Sequence, residues 1–152
     1  MRARRTWIQA VGLAVLVCAR TPAVASAEQG QAGGITQLDQ WVAAHPMPAD
    51  ENIVAEELGR TDRSSMQVVR IRGAEPLHHH HQHDLFVLLY HGRGTLRMGG
   101  QTVTMTEGSA VTIPIDMPHA FTNQGGQPAV LFIVFTPVPA GEDYVLEQTK
   151  TE

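Results

Sequence analysis

Five of the eight histidines in this 152-residue chain fall within residues 77–84, "LHHHHQHD". Imidazole binds most first-row divalent metals and titrates near neutral pH, so the run points first to metal binding or proton transfer. Side chains alternate along an extended chain, so His78, His80 and Asp84 would share one face while His79 and His81 take the other. Two imidazoles spaced by two residues suit facial coordination of one cation, but four consecutive ones cannot all line one pocket. A further ligand must come from elsewhere, and His119, just after the turn "IDMP", is the candidate. The expected metal ligands are therefore His78, His80, Asp84 and His119. His83 would orient a ligand or shuttle a proton, and Asp84 and His83 are the candidate acid–base groups. His79 and His81 would face solvent, with a mobile second grip on metal as the alternative. His45 and His91 read as surface residues. Ligand type does not select among Fe, Mn, Ni, Cu and Zn.

The elements that must position these groups are short. Ile35, Leu38, Trp41 and Val42 recur at helical spacing until Pro46, which predicts a short amphipathic helix over about 35–44. Beyond the turn "MPADEN" the period shifts towards two. "NIVAEEL", "SMQVVRIR", "DLFVLLYH", "GTLRMG", "QTVTMT", "SAVTIP", "HAFTN" and "AVLFIVFTP" read as strands, separated by Gly, Pro, Asn and Asp clusters. Gly99-Gly100 marks the clearest hairpin. This many short strands in one domain predict an all-β sandwich or barrel. The polar tail from Pro137 onward is expected to wrap the surface or fray.

The N-terminus reads as an export signal. Arg2, Arg4 and Arg5 precede an apolar run from Trp7 to Ala19, and Ala25-Ser26-Ala27 fits the small-x-small cleavage pattern. Cleavage after Ala27 would leave a flexible lead-in, 28–34, and one domain, 35–152, exported to the periplasm or beyond. It would also remove the single cysteine, Cys18, and with it all thiol chemistry. Losing Arg2, Arg4, Arg5 and Arg20 leaves seven Lys and Arg against fifteen acidic residues, a formal charge of −8. Such an acidic chain is a poor partner for nucleic acid or anionic membrane surfaces. No nucleophile elbow, phosphate loop or nucleotide fingerprint is present.

The histidines also sit in recognisable motifs. Gly108 is followed after five residues by Pro114, with His119 and Asn123 at fixed offsets beyond it and Asp116 where a glycine is usual. Upstream, a His-x-His pair lies between Gly73 and Gly92, either His78 with His80 or His79 with His81. In this pattern the chain resembles the cupin superfamily over about residues 65–136. "HHHHQHDL" looks like the His-x-His-x-x-His-Asp-Leu variant of small bacterial cupins, which favours His78 and His80. Both registers place Leu85 where the family usually has a metal-binding glutamate.

The resemblance implies a single jelly-roll-like β-barrel behind the short helix and one divalent transition metal on the histidines. It also implies a small-molecule substrate or ligand and a homodimer formed through barrel edge strands. The function it implies is a metal-dependent oxygenase, or a related redox or lyase enzyme. The alternatives are a non-catalytic periplasmic metal- or ligand-binding module, and a barrel that has lost its metal. Leu85 leaves either three histidines as ligands or three histidines with Asp84. Gly92, Gly94 and Gly108 are expected at turns, Pro114 and Pro118 to shape the approach to His119, and Met98, Met105 and Met117 in the barrel core. Arg70, Arg72 and Arg97 would be exposed strand arginines, with an anionic substrate as their alternative role.

Overall fold

The computed structural model describes residues 34–138 and 140–147; the expected signal peptide lies outside them. A short helix, α1 (Leu38–Ala44), precedes ten strands: β1 (Ile53–Arg60), β2 (Ser65–Ile71), β3 (His78–His80), β4 (Asp84–His91), β5 (Arg93–Met98), β6 (Gln101–Thr106), β7 (Ala110–Ile113), β8 (His119–Asn123), β9 (Ala129–Thr136) and β10 (Tyr144–Leu146). They form two antiparallel sheets, ordered β1-β2-β9-β4-β7 and β10-β3-β8-β5-β6. The two sheets face each other as a jelly roll, the all-β architecture that the strand spacing predicts.

Alternation decides which side chains fill the space between the sheets. Leu85, Val87 and Leu89 of β4 point inward beside Leu131, Ile133 and Phe135 of β9, and Leu96 and Phe121 meet them from the other sheet. Burying each such side chain contributes about 1.5–3 kcal/mol.

Eight strands match the predicted segments closely; β3, the histidine run itself, is an additional strand, and two further differences stand out. The tail does not fray where it is described: β10 pairs antiparallel with β3, Tyr144 opposite His80 and Leu146 opposite His78. Gly94 is not at a turn but inside β5, where an added Cβ would come within 2.3 Å of Phe121 Cζ and 2.4 Å of the Thr122 carbonyl oxygen. Only glycine lets β5 lie this close to β8. Gly92 and Gly108 do occupy turns, with φ of +101° and +83°.

Arg70 also departs from its expected exposure. It faces outward from β2 yet is buried, because α1 and β1 cover it. Its guanidinium donates to the His45 carbonyl and to Glu56, and lies 5.7 Å from the centre of the Trp41 ring. A buried cation needs such partners. Arg72 donates to the carbonyls of Glu51 and Pro48 at 3.1 and 3.0 Å. Both arginines anchor the N-terminal segment.

Candidate metal centre

Register and alternation bring three histidines together. His78 and His80 lie two apart on β3 and face inward. His119 is the direct cross-strand partner of His78 between β3 and β8, so its side chain shares that face. Ring centres are 4.2 Å apart for His78–His119, 5.1 Å for His78–His80 and 5.5 Å for His80–His119. Their ligating nitrogens lie within 4.8 Å of one another.

Hydrogen bonds fix which nitrogen is free. His78 Nδ1 lies 2.9 Å from the Pro76 carbonyl oxygen, and His119 Nδ1 lies 2.8 Å from that of Met117. A carbonyl only accepts, so each Nδ1 carries the proton and each Nε2 keeps its lone pair. Burial favours the neutral ring. It holds His78 below the usual histidine value, and pushes His119 and His80 down to about 4, with neighbouring histidines adding to the effect at His80. Neutral imidazoles with aimed lone pairs are the form that binds a divalent ion. The residues present therefore fit a metal, and Nε2 of His78 and His119, with His80, would hold it.

Asp84 does not join them. Sharing a face with His78 and His80 would need an extended chain from 78 to 84, but the chain bends at His81-Gln82 to cross from one sheet to the other. Asp84 Oδ1 instead accepts a hydrogen bond from the Ile115 amide at 2.8 Å, tying down the loop that leads to His119. Leu85, at the usual glutamate position, is buried and lines the cavity beside the histidines.

The carboxylate that approaches the cluster comes from the tail. Asp143, just before β10, is 94% buried, with Oδ2 3.3 Å from His80 Nδ1 and 2.6 Å from His83 Nδ1. It lies behind His80, where a carboxylate behind a ligating histidine would set ring orientation and basicity. His83, also buried, packs against His80 with ring centres 4.6 Å apart.

The histidines open into a cavity of about 250 Å³ between the sheets. Its walls are chiefly apolar, including Val69, Leu96, Met105 and Ile133. Met98 and Met117 pack against the core without lining it. Two polar groups that the sequence reading missed share the cavity. Tyr144 of β10 stacks on His78 at 4.2 Å. Glu75 accepts a hydrogen bond from the Phe121 amide at 3.0 Å, and burial pushes its carboxyl up to about 6. An alternation in "DYVLE" was the only local signal for β10, and Glu75 had none beyond its place just ahead of the histidine run.

The model of the cupin domain family matches residues 66–135, from β2 through β9. The chain belongs to the cupin superfamily. An uncharacterised protein of Aquifex aeolicus is 32% identical over 95 residues, 62% of this chain and 78% of that one. Two crystal structures share the fold. A Klebsiella pneumoniae protein with a double-stranded β-helix domain is 19% identical with a TM-score of 0.63, covering 76% of this chain and 97% of its own. A Thermus thermophilus protein is 22% identical with a TM-score of 0.60, covering 69% and 98%.

Proposed function

We propose that this cupin is an exported metal-dependent enzyme, an oxygenase or a related redox or lyase enzyme, acting on a small organic molecule in the barrel cavity. One observation carries the reading: three neutral histidines, His78 and His119 with fixed tautomers, open into a small, mostly apolar cavity that also holds a carboxyl group titrating near pH 6. A divalent first-row ion on His78, His80 and His119 supplies Lewis acidity and open positions for substrate or oxygen. The chain supplies the rest. The apolar walls exclude water, Glu75 accepts or returns a proton at its carboxylate, and Tyr144 borders the substrate. A group with a pKa near the working pH is effective in both directions of proton transfer.

Export rests on the Arg-rich start, the apolar run and Ala25-Ser26-Ala27. A homodimer is supported by an apolar strip on the outer face of β4, β7 and β9, formed by Phe86, Leu88, Ala110, Phe132 and Val134, with Phe86 47% exposed. A second reading, a non-catalytic metal- or ligand-binding module, is favoured by Leu85 at the position of the usual carboxylate ligand.

The test begins with metal content. Of the metal that untagged protein takes up when offered each candidate ion, His119→Ala should lose one equivalent. Oxygen uptake by the Fe(II)-loaded protein over a panel of small organic molecules then separates the readings. Turnover lost in Glu75→Gln with metal retained supports the enzyme. Metal bound without turnover of any panel member by any loaded form supports the binding module. An unchanged metal content in His119→Ala overturns both.

A further inference from the structure

His79, on the other face of β3, and His81, just beyond its end, have no part in that centre, yet they too are held in place. His79 Nδ1 lies 2.5 Å from Glu147 Oε1, and His81 Nδ1 lies 2.5 Å from Asp116 Oδ1. An ionised carboxylate only accepts, so both Nδ1 atoms donate, and in the neutral rings both Nε2 atoms carry lone pairs. Those two Nε2 atoms face each other at 3.3 Å. Two acceptors at that separation repel unless a cation lies between them.

We propose that His79 and His81 form a second, surface metal site that takes Zn(II), distinct from the centre inside the barrel. With Zn–N bonds of about 2.0–2.1 Å, nitrogens this far apart subtend about 105–110° at the metal, the tetrahedral angle. A square-planar ion would need them closer. Asp116 and Glu147 stand behind the rings as carboxylates stand behind zinc-bound imidazoles, orienting them and compensating the charge. His81 and Asp116 are largely exposed, their side chains at 54% and 64%, so water can complete the coordination.

Asp116 adds an independent observation. It replaces the glycine usual in the second cupin motif and takes φ +59°. That conformation costs a residue with a side chain about 1–2 kcal/mol, although Asp and Asn bear it better than most. What glycine could not provide there is the carboxylate that holds His81.

The experiment is a Zn(II) titration of the untagged protein, read by equilibrium dialysis with elemental analysis. The parent should bind two equivalents, His119→Ala one, and the double variant His119→Ala/His81→Ala none. Asp116→Asn, which keeps the backbone conformation, should weaken the surface equivalent 10- to 100-fold. Co(II) bound to His119→Ala should give the visible absorption of a tetrahedral ion, lost with His81→Ala. Zinc binding unchanged by His81→Ala, in number and affinity, would overturn the surface site. So would a titration in which the two rings share only a proton and take no metal near pH 7.5. Failure of the inner centre shows separately, as equal zinc in the parent and His119→Ala.

Discussion

Glu75 keeps its proton to higher pH than a surface glutamate because its carboxyl is buried, and this has a measurable consequence. Its folded value is about 6 against an ordinary 4.5, so between those values the folded state binds more protons than the unfolded state. Stability contributed by this group therefore falls as pH rises through that window. Glu75→Gln keeps the acceptor for Phe121 and removes the titration. Relative to the parent it should gain up to about 2 kcal/mol between pH 4.5 and 6.5, measured by urea unfolding. A constant difference across that range would refute the assignment. The histidines act with the opposite sign. His80 and His119 are depressed from 6.5 to about 4, so the unfolded state binds more protons between those values, and metal-free protein should lose stability as pH falls from 6.5 towards 4. A flat urea midpoint across that range would contradict it. At this scale His78, His80 and His119 were legible, because spacing of two on a strand and a motif offset are local properties. Asp84 is not legible because its parity depends on a bend, and Glu75 and Asp143 are hidden because only long-range pairing brings Glu75 to the cavity and Asp143 behind His80.

Among the elements, β10 matters beyond its three residues. By pairing with β3 it delivers Asp143 behind His80 and Tyr144 onto His78. Asp143→Asn should weaken the inner metal 10- to 100-fold in chelator competition while leaving the fold intact, as second-layer carboxylates generally do. Equal affinity would mean that Asp143 serves only packing. β5 has its own requirement. Gly94→Ala forces a methyl group against the Thr122 carbonyl, which is backbone and cannot step aside. It should destabilise the protein by about 1–3 kcal/mol or more and disturb β8, which carries His119. Thermal unfolding would show the loss, and an unchanged Tm would argue against the close approach. Eight of the ten strands could be read from alternation and turn residues. β3 and β10 could not, since three residues of a histidine run or of a polar tail carry too little pattern to stand out.

For the whole molecule, the barrel buries one face of each sheet, and α1 covers part of the outer face of the first through Arg70 and Trp41. Asp39 fastens the helix by accepting from Tyr90 and pairing with His91, each at 2.9 Å. The apolar strip on β4, β7 and β9 is left to the proposed second copy. Phe86→Glu should convert a dimer into a monomer in sedimentation velocity without changing the far-ultraviolet circular dichroism. A parent that already sediments as a monomer would remove the dimer. No helix among the described residues is long and apolar enough to cross a membrane.

Strand β3 meets β8 at a single register pair, His78 opposite His119, whereas β4 and β9 pair along their full lengths. The wall of the barrel is therefore held most weakly at the place where its histidines converge. An ion bridging those two rings would act as a rivet across a seam that backbone hydrogen bonds barely close. Amide hydrogens of β3 and β10 should exchange quickly in the bare protein and slow sharply once the ion is bound, while those of β4 and β9 keep their rates.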